Sequence, residues 1–196
     1  MSMLRLVAAP TGDAVSLAEA KAHVNVDFDD DDALIAAYLD AATDRFAYLN
    51  RSLRPCTWAL DLDGFHDVLY LPKPPFVAAT SVTYLDAAGA TQTLAGTAYD
   101  ARTDSLGQGR ISLAYGQQWP QTLDYGECVT VNFTAGYAIG SLPGALRAAI
   151  LLTIGALYEQ KSDVTSAPSF ALPFGAEALA AGFLIHTAIP SRDRRR

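Results

Sequence analysis

The chain has 196 residues, 51% of them hydrophobic and 18% charged, which excludes global disorder, and no apolar stretch approaches the roughly 20 residues of a membrane-spanning helix. Its formal net charge of −7 is uneven: four arginines crowd Arg192-Asp193-Arg194-Arg195-Arg196, and the remainder holds ten basic against twenty acidic side chains, a charge of −10. A body of that sign repels phosphate and argues against a sequence-reading nucleic-acid binder.

Met1-Ser2-Met3-Leu4-Arg5 lacks the apolar run and small-residue cleavage site of a signal peptide, so a soluble protein made in the cytoplasm is expected. After this short extended start, Ser16 to Val24 reads as a helix opened by a capping box, Ser16 with Glu19 three residues on. A second helix is predicted over Asp30 to Leu53, with Leu34, Ile35, Tyr38, Ala41, Ala42, Phe46 and Leu49 forming an apolar stripe. Asp29 to Asp32 occupy its cap and first turn, where the positive end of the helix dipole favours anions.

Pro55 ends the helical stretch, and alternation takes over in Thr57–Leu62, Val68–Leu71, Ser81–Leu85, Thr91–Leu94, Ala98–Asp100, Arg110–Leu113 and Cys128–Phe133. These predict a small antiparallel sheet system, with Asp86-Ala87-Ala88-Gly89 as a hairpin turn and Pro72, Pro74 and Pro75 as a rigid link. From Pro143 to Glu159 the helical period returns in a segment apolar around most of its circumference, which predicts burial on several sides. Beyond Lys161 small residues and proline dominate, and only Ala176–Ala181 has helical character.

The expected fold is therefore α+β. A helical body is made of an N-terminal helical hairpin (within 1–53) and a C-terminal apolar helix (141–161). An antiparallel β region (54–140) is inserted between them, and an extended arm (162–196) follows.

No catalytic or cofactor constellation stands out. Asp27, Asp29 and Asp31 look like the start of a calcium loop, but the sixth position is Asp32 where a turn-forming glycine is needed, and the twelfth is Tyr38 where a bidentate glutamate is needed. His23, His66 and His186 are far apart, and Cys56 and Cys128 form no CxxC pair, so no metal, cofactor or disulfide is expected. There is no GxSxG elbow and no phosphate-binding GxxxxGK[ST] loop. Asp61 and Asp63 fall on one strand face, expected to be solvated, and Trp58, Tyr70, Tyr84, Tyr99, Tyr115, Trp119 and Tyr125 are core candidates first. A β-rich carbohydrate-binding or other interaction module on a helical scaffold is the alternative these aromatics keep open.

Taken in order, the elements resemble the head-tail connector, or adaptor, family of long-tailed phages and phage-derived gene transfer agents. The points of likeness begin with Ser16-Leu17-Ala18-Glu19-Ala20-Lys21-Ala22-His23-Val24, Asp31-Asp32-Ala33-Leu34-Ile35 and Ala41-Ala42. They continue through Leu71-Pro72-Lys73-Pro74-Pro75, Val82 to Gly89, Val131-Asn132-Phe133-Thr134-Ala135-Gly136-Tyr137 and the helix Leu142 to Glu159.

The resemblance implies a non-enzymatic subunit of a ring, typically twelvefold, lying under the portal of a capsid at the head-tail junction of a virion or gene transfer agent particle. The implied partners are the portal protein, neighbouring copies of the chain, a tail-side stopper or tail terminator protein, and DNA in transit, with no membrane. The arm is similar in position to segments that dock on the portal in this family, which makes Phe170, Phe174, Phe183, Arg192, Arg194, Arg195 and Arg196 the candidate portal-binding residues. The arginine-rich end departs from the family's simple pattern.

Overall fold

The computed structural model describes residues 2–159 and 174–185. The chain divides into two compact units, one made of Met1–Gly12 and Ser52–Ile139, the other of Asp13–Arg51 and Gly140–Arg196.

The first unit is built from eight antiparallel strands in two sheets. Strands β1 (Met3–Ala8), β2 (Cys56–Leu62), β8 (Val129–Ala135), β4 (Phe76–Leu85) and β5 (Thr91–Thr93) form one sheet in the order β1-β2-β8-β4-β5. Strands β3 (Val68–Leu71), β7 (Gly109–Leu113) and β6 (Tyr99–Thr103) form the other, in the order β3-β7-β6. Residues 1–12, grouped with the helical body in the sequence reading, belong instead to this unit, because β1 pairs with β2 from Met3↔Asp61 to Ala8↔Thr57.

The alternation in β8 shows why the strands pack as they do: Val129, Val131, Phe133 and Ala135 are buried, while Thr130, Asn132 and Thr134 point to the other face. The inward side chains join Leu60, Leu62 and Val82 of the larger sheet and Leu69, Leu71 and Ile111 of the smaller one in a single apolar core. Two glycines are required by close approach. A side chain at Gly109 would strike the Phe76 ring, and one at Gly136, whose φ is +124°, would overlap the Arg54 carbonyl oxygen.

The second unit is helical: α1 (Leu17–His23), α2 (Asp32–Arg45) followed by a 3₁₀ turn (Phe46–Leu49), α3 (Gly144–Glu159) and α4 (Phe174–Ala181). Ser16 caps α1 as its sequence predicts, with Oγ accepting from the Glu19 N–H at 3.2 Å, but the Glu19 carboxylate lies 3.7 Å from Arg147 on α3. The second helix is shorter than its sequence suggests, since Asn50 adopts a left-handed conformation (φ 59°) after the 3₁₀ turn and closes the segment. Its buried positions are Ile35, Leu39, Ala42, Thr43, Phe46 and Leu49.

α3 buries Leu146, Ala149, Ile150, Thr153 and Ile154, the spacing of one helix face, and contacts α1, α2 and α4, so most of its remaining residues are half-buried although Leu152 is 37% exposed. Thr43 and Thr153 are tolerated in the core because each hydroxyl donates to the carbonyl four residues back, Leu39 and Ala149, at 2.7 and 2.8 Å. Helix α4 lies within the stretch expected to form the arm, yet it packs on α3, buries Ala176 and Ala180, and is followed by an Ile185 N–H that donates to the Leu49 carbonyl.

Candidate functional site

The acidic segment before α2 is the first place to look for chemistry, and its carboxylates are already engaged in structure. Lys21 of α1 places its ammonium 2.7 Å from Asp29 and 2.6 Å from Asp32, and the Tyr158 hydroxyl of α3 donates to Asp31 Oδ2 at 2.6 Å. Asp31, although at the cap position, makes no side-chain cap hydrogen bond, and its φ of −95° and ψ of 5° depart from the extended backbone of a capping residue. The hydrogen bond to Asp29 and the close ion pair with Asp32 raise the Lys21 pKa, and the same ammonium lowers that of Asp29. The segment ties α1 and α3 to the start of α2.

In the sheet unit Asp61 corrects the expectation of a solvated strand face. It is only 5% exposed, and accepts from Arg5 Nε at 2.6 Å, from Arg5 Nη2 at 3.2 Å and from Thr130 Oγ1 at 2.7 Å. β2 is an interior strand, so its side chains lie between those of β1 and β8, and Arg5 reaches across from the edge. The Arg5 hydrogen bond holds the Asp61 carboxyl below its ordinary range, against the opposing effect of burial and with help from Thr130. Asp63, beyond the end of β2, is exposed.

Asp86 and Asp104 serve turns: each accepts two backbone N–H bonds, and Asp86 also accepts from Gln92 Nε2. Cys56 and Cys128 are buried free thiols. Among the described residues no group of three His, Cys, Asp or Glu side chains is placed to hold a metal, and no helix is long and apolar enough to cross a membrane. A surface depression of about 120 Å³ is lined by His23, Val24, Asn25, Gly155, Tyr158 and Glu159, within the helical unit. Nothing in it pairs a nucleophile with a base.

The aromatics divide in a way alternation did not foresee. Phe65 stacks on Trp119 with ring centroids 4.5 Å apart and meets Tyr84 edge-on, and Trp58 donates from Nε1 to Ser52 while Lys73 lies 5.7 Å over its ring. Tyr115 and Tyr125 are fully or largely exposed, and Tyr70 is 47% exposed. Register sets Tyr70 opposite Arg110, and Arg110 opposite Arg102, in one row on the outer face of the smaller sheet. No sequence motif announces that row, because its members lie on three strands.

Of the arm residues, Phe183 is engaged inside the helical unit: its carbonyl accepts from Arg51 Nε at 2.6 Å and its ring lies 5.8 Å from the same guanidinium. Phe174 opens α4, whereas Phe170, Arg192, Arg194, Arg195 and Arg196 lie outside the described residues.

The model of the Phage gp6-like head-tail connector protein family matches residues 14–125, and the chain belongs to that family of structural connectors. Its fold is also that of chains in gene transfer agent (GTA) particles. It is 28% identical to one in the virion of a native GTA particle, with a TM-score of 0.75 and 96% of this chain and 98% of that one covered. It is 28% identical to one in the neck of a native GTA particle computed with C12 symmetry (TM-score 0.74, coverage 97% and 99%), and 27% identical to one in the neck of an empty particle computed with C6 symmetry (TM-score 0.73, coverage 97% and 99%). No curated protein matches the chain. The head-tail junction of a particle is thus the place its family and fold assign to it.

Proposed function

We propose that the chain is a ring subunit, twelve copies to the ring, that sits beneath the portal, joins head to tail and lets DNA pass through its channel. The observation that carries this reading is the match along nearly the whole length of both chains to a chain in a particle neck computed with C12 symmetry. In this reading the helical unit is the ring body, the sheet unit presents an interface to neighbours or to the next tail component, and the arm docks on the portal. The negative charge of the body suits a channel, since DNA binds where cationic groups release its counterions and slides past where they are lacking. Electron microscopy of purified particles tests the reading: density for this chain is expected as a ring at the head-tail junction, and its absence there overturns the proposal.

The arm mechanism has its own test. Because α4 and Ile185 are part of the helical unit, truncation after Ile185 removes the arginine-rich end without removing the docked helix. The truncated chain is expected to fail to attach to DNA-filled heads, and normal attachment overturns portal docking by Arg192, Arg194, Arg195 and Arg196.

A further inference from the structure

The row of Tyr70, Arg110 and Arg102 is not explained by folding. The three side chains share one face of the smaller sheet and all are exposed, the Arg102 side chain at 64%. Like charges directly opposite one another across a strand pair are destabilising, yet Arg110 faces Arg102, and among the described residues the carboxylate set against the pair is Asp100, 3.2 Å from Arg102 and itself half-exposed. Tyrosine and arginine are the residues enriched at the energetic centres of interfaces, and two guanidinium groups offer paired donors to carboxylates.

The helical unit carries a surface of the opposite kind. Between α1 and α2, Asp27-Phe28-Asp29-Asp30 presents a 48% exposed phenylalanine flanked by exposed carboxylates, and only Asp29 of these is held by Lys21. A ring of more than two copies joins unlike surfaces of identical subunits, so each copy must carry two complementary patches. Copies of charge −7 repel one another, and a contact that pairs a basic row with an acidic loop both offsets that repulsion and fixes the register of neighbours.

We propose that the Tyr70, Arg110 and Arg102 row of one copy receives the Asp27–Asp30 loop of the next copy in the ring. The Phe28 ring lies against Tyr70 and a guanidinium face, and the carboxylates of Asp27 and Asp30 pair with Arg110 and Arg102. The inference rests on the ring reading above and names the surfaces that close the ring.

Particles assembled from the full chain carrying both Asp30→Cys and Arg110→Cys, treated with a short thiol-specific bifunctional cross-linker, test it. Cys56 and Cys128 are buried, so the introduced thiols are the accessible ones. A ladder of covalent oligomers extending beyond the dimer is expected, and neither single variant should give it. Microscopy separates the two claims: a ring in both substituted and unsubstituted particles without a ladder overturns this inference alone, whereas unsubstituted particles with no ring at the junction overturn both. In a second arm, Arg102→Glu with Arg110→Glu should cut incorporation into particles by more than about tenfold, since like charges brought together across an interface repel. Adding Asp27→Lys and Asp30→Lys should restore it. Unchanged incorporation, or altered DNA retention with incorporation intact, overturns the proposal, the latter by assigning the row to DNA.

Discussion

The sheet unit takes one carboxylate out of water and surrounds it with partners from two other strands, whereas the helical unit keeps its many acidic residues near the surface and uses them to fasten helix ends. Among the described residues Asp61 is the buried acid of the first kind, fixed by strand register between Arg5 and Thr130. Asp29, Asp31 and Asp32 are of the second, held by Lys21 and Tyr158 at the start of α2. The difference teaches where each unit is vulnerable. A misplaced charge inside a sheet has no route to water, so the sheet unit should respond sharply to loss of a partner and to acid; the helical unit rests on its apolar face, and its surface pairs are screened.

Two spectroscopic signals make that contrast measurable, because both tryptophans, Trp58 and Trp119, lie in the sheet unit while the helical circular dichroism comes from the other. The largest effect is expected from Phe133→Ala, which removes a fully buried ring from the strand at the centre of the larger sheet and should lower stability by about 3–5 kcal/mol in denaturant titration read by tryptophan fluorescence. Ile150→Ala should cost about 2–5 kcal/mol, read in the helical signal. If either substitution moves both signals together, the contrast breaks, and the chain unfolds as one cooperative structure. Gly136→Ala should cost roughly 1–3 kcal/mol in the fluorescence signal, as the backbone must shift away from Arg54. Removing one hydroxyl with Tyr158→Phe should cost about 0.5–1.5 kcal/mol of the helical transition.

The smallest expected effect is on acid unfolding, and its sign follows from Asp61. The folded carboxyl titrates below the ordinary 3.8, so its contribution is complete above that pH and is lost as pH falls through the depressed folded value. Arg5→Gln removes the main cause of the depression and should move the fluorescence-detected acid transition to higher pH, leaving the helical signal in place. An unmoved transition would show that Thr130 alone suffices for Asp61.

Periodicity found the elements because local pattern and tertiary burial agree there. Val68–Leu71 alternates as a strand, Pro143 introduces α3, and the aspartates do stand at the start of α2. The readings that changed depend on which strand lies beside which. Asp61 looks like a surface residue until β1 and β8 close on either side of it, and the arginine row exists only when β7 lies between β3 and β6. Leu39 lies outside the predicted stripe although it is 2% exposed, and the helical character of Ala176–Ala181 is legible where the docking of α4 on α3 is not. Phe183 reads from sequence as a portal-binding candidate, and its contact with Arg51 inside the helical unit is not legible there because the two residues are 132 positions apart.

The strand order also sets a timetable for synthesis. β8, ending at Ala135, is the strand that joins β2 to β4, so the larger sheet lacks its middle until most of the chain has been made, and the α2 face waits for α3 at residues 144–159. Neither unit has a finished core in an early nascent chain. Surfaces that depend on strand register therefore come into being late in synthesis.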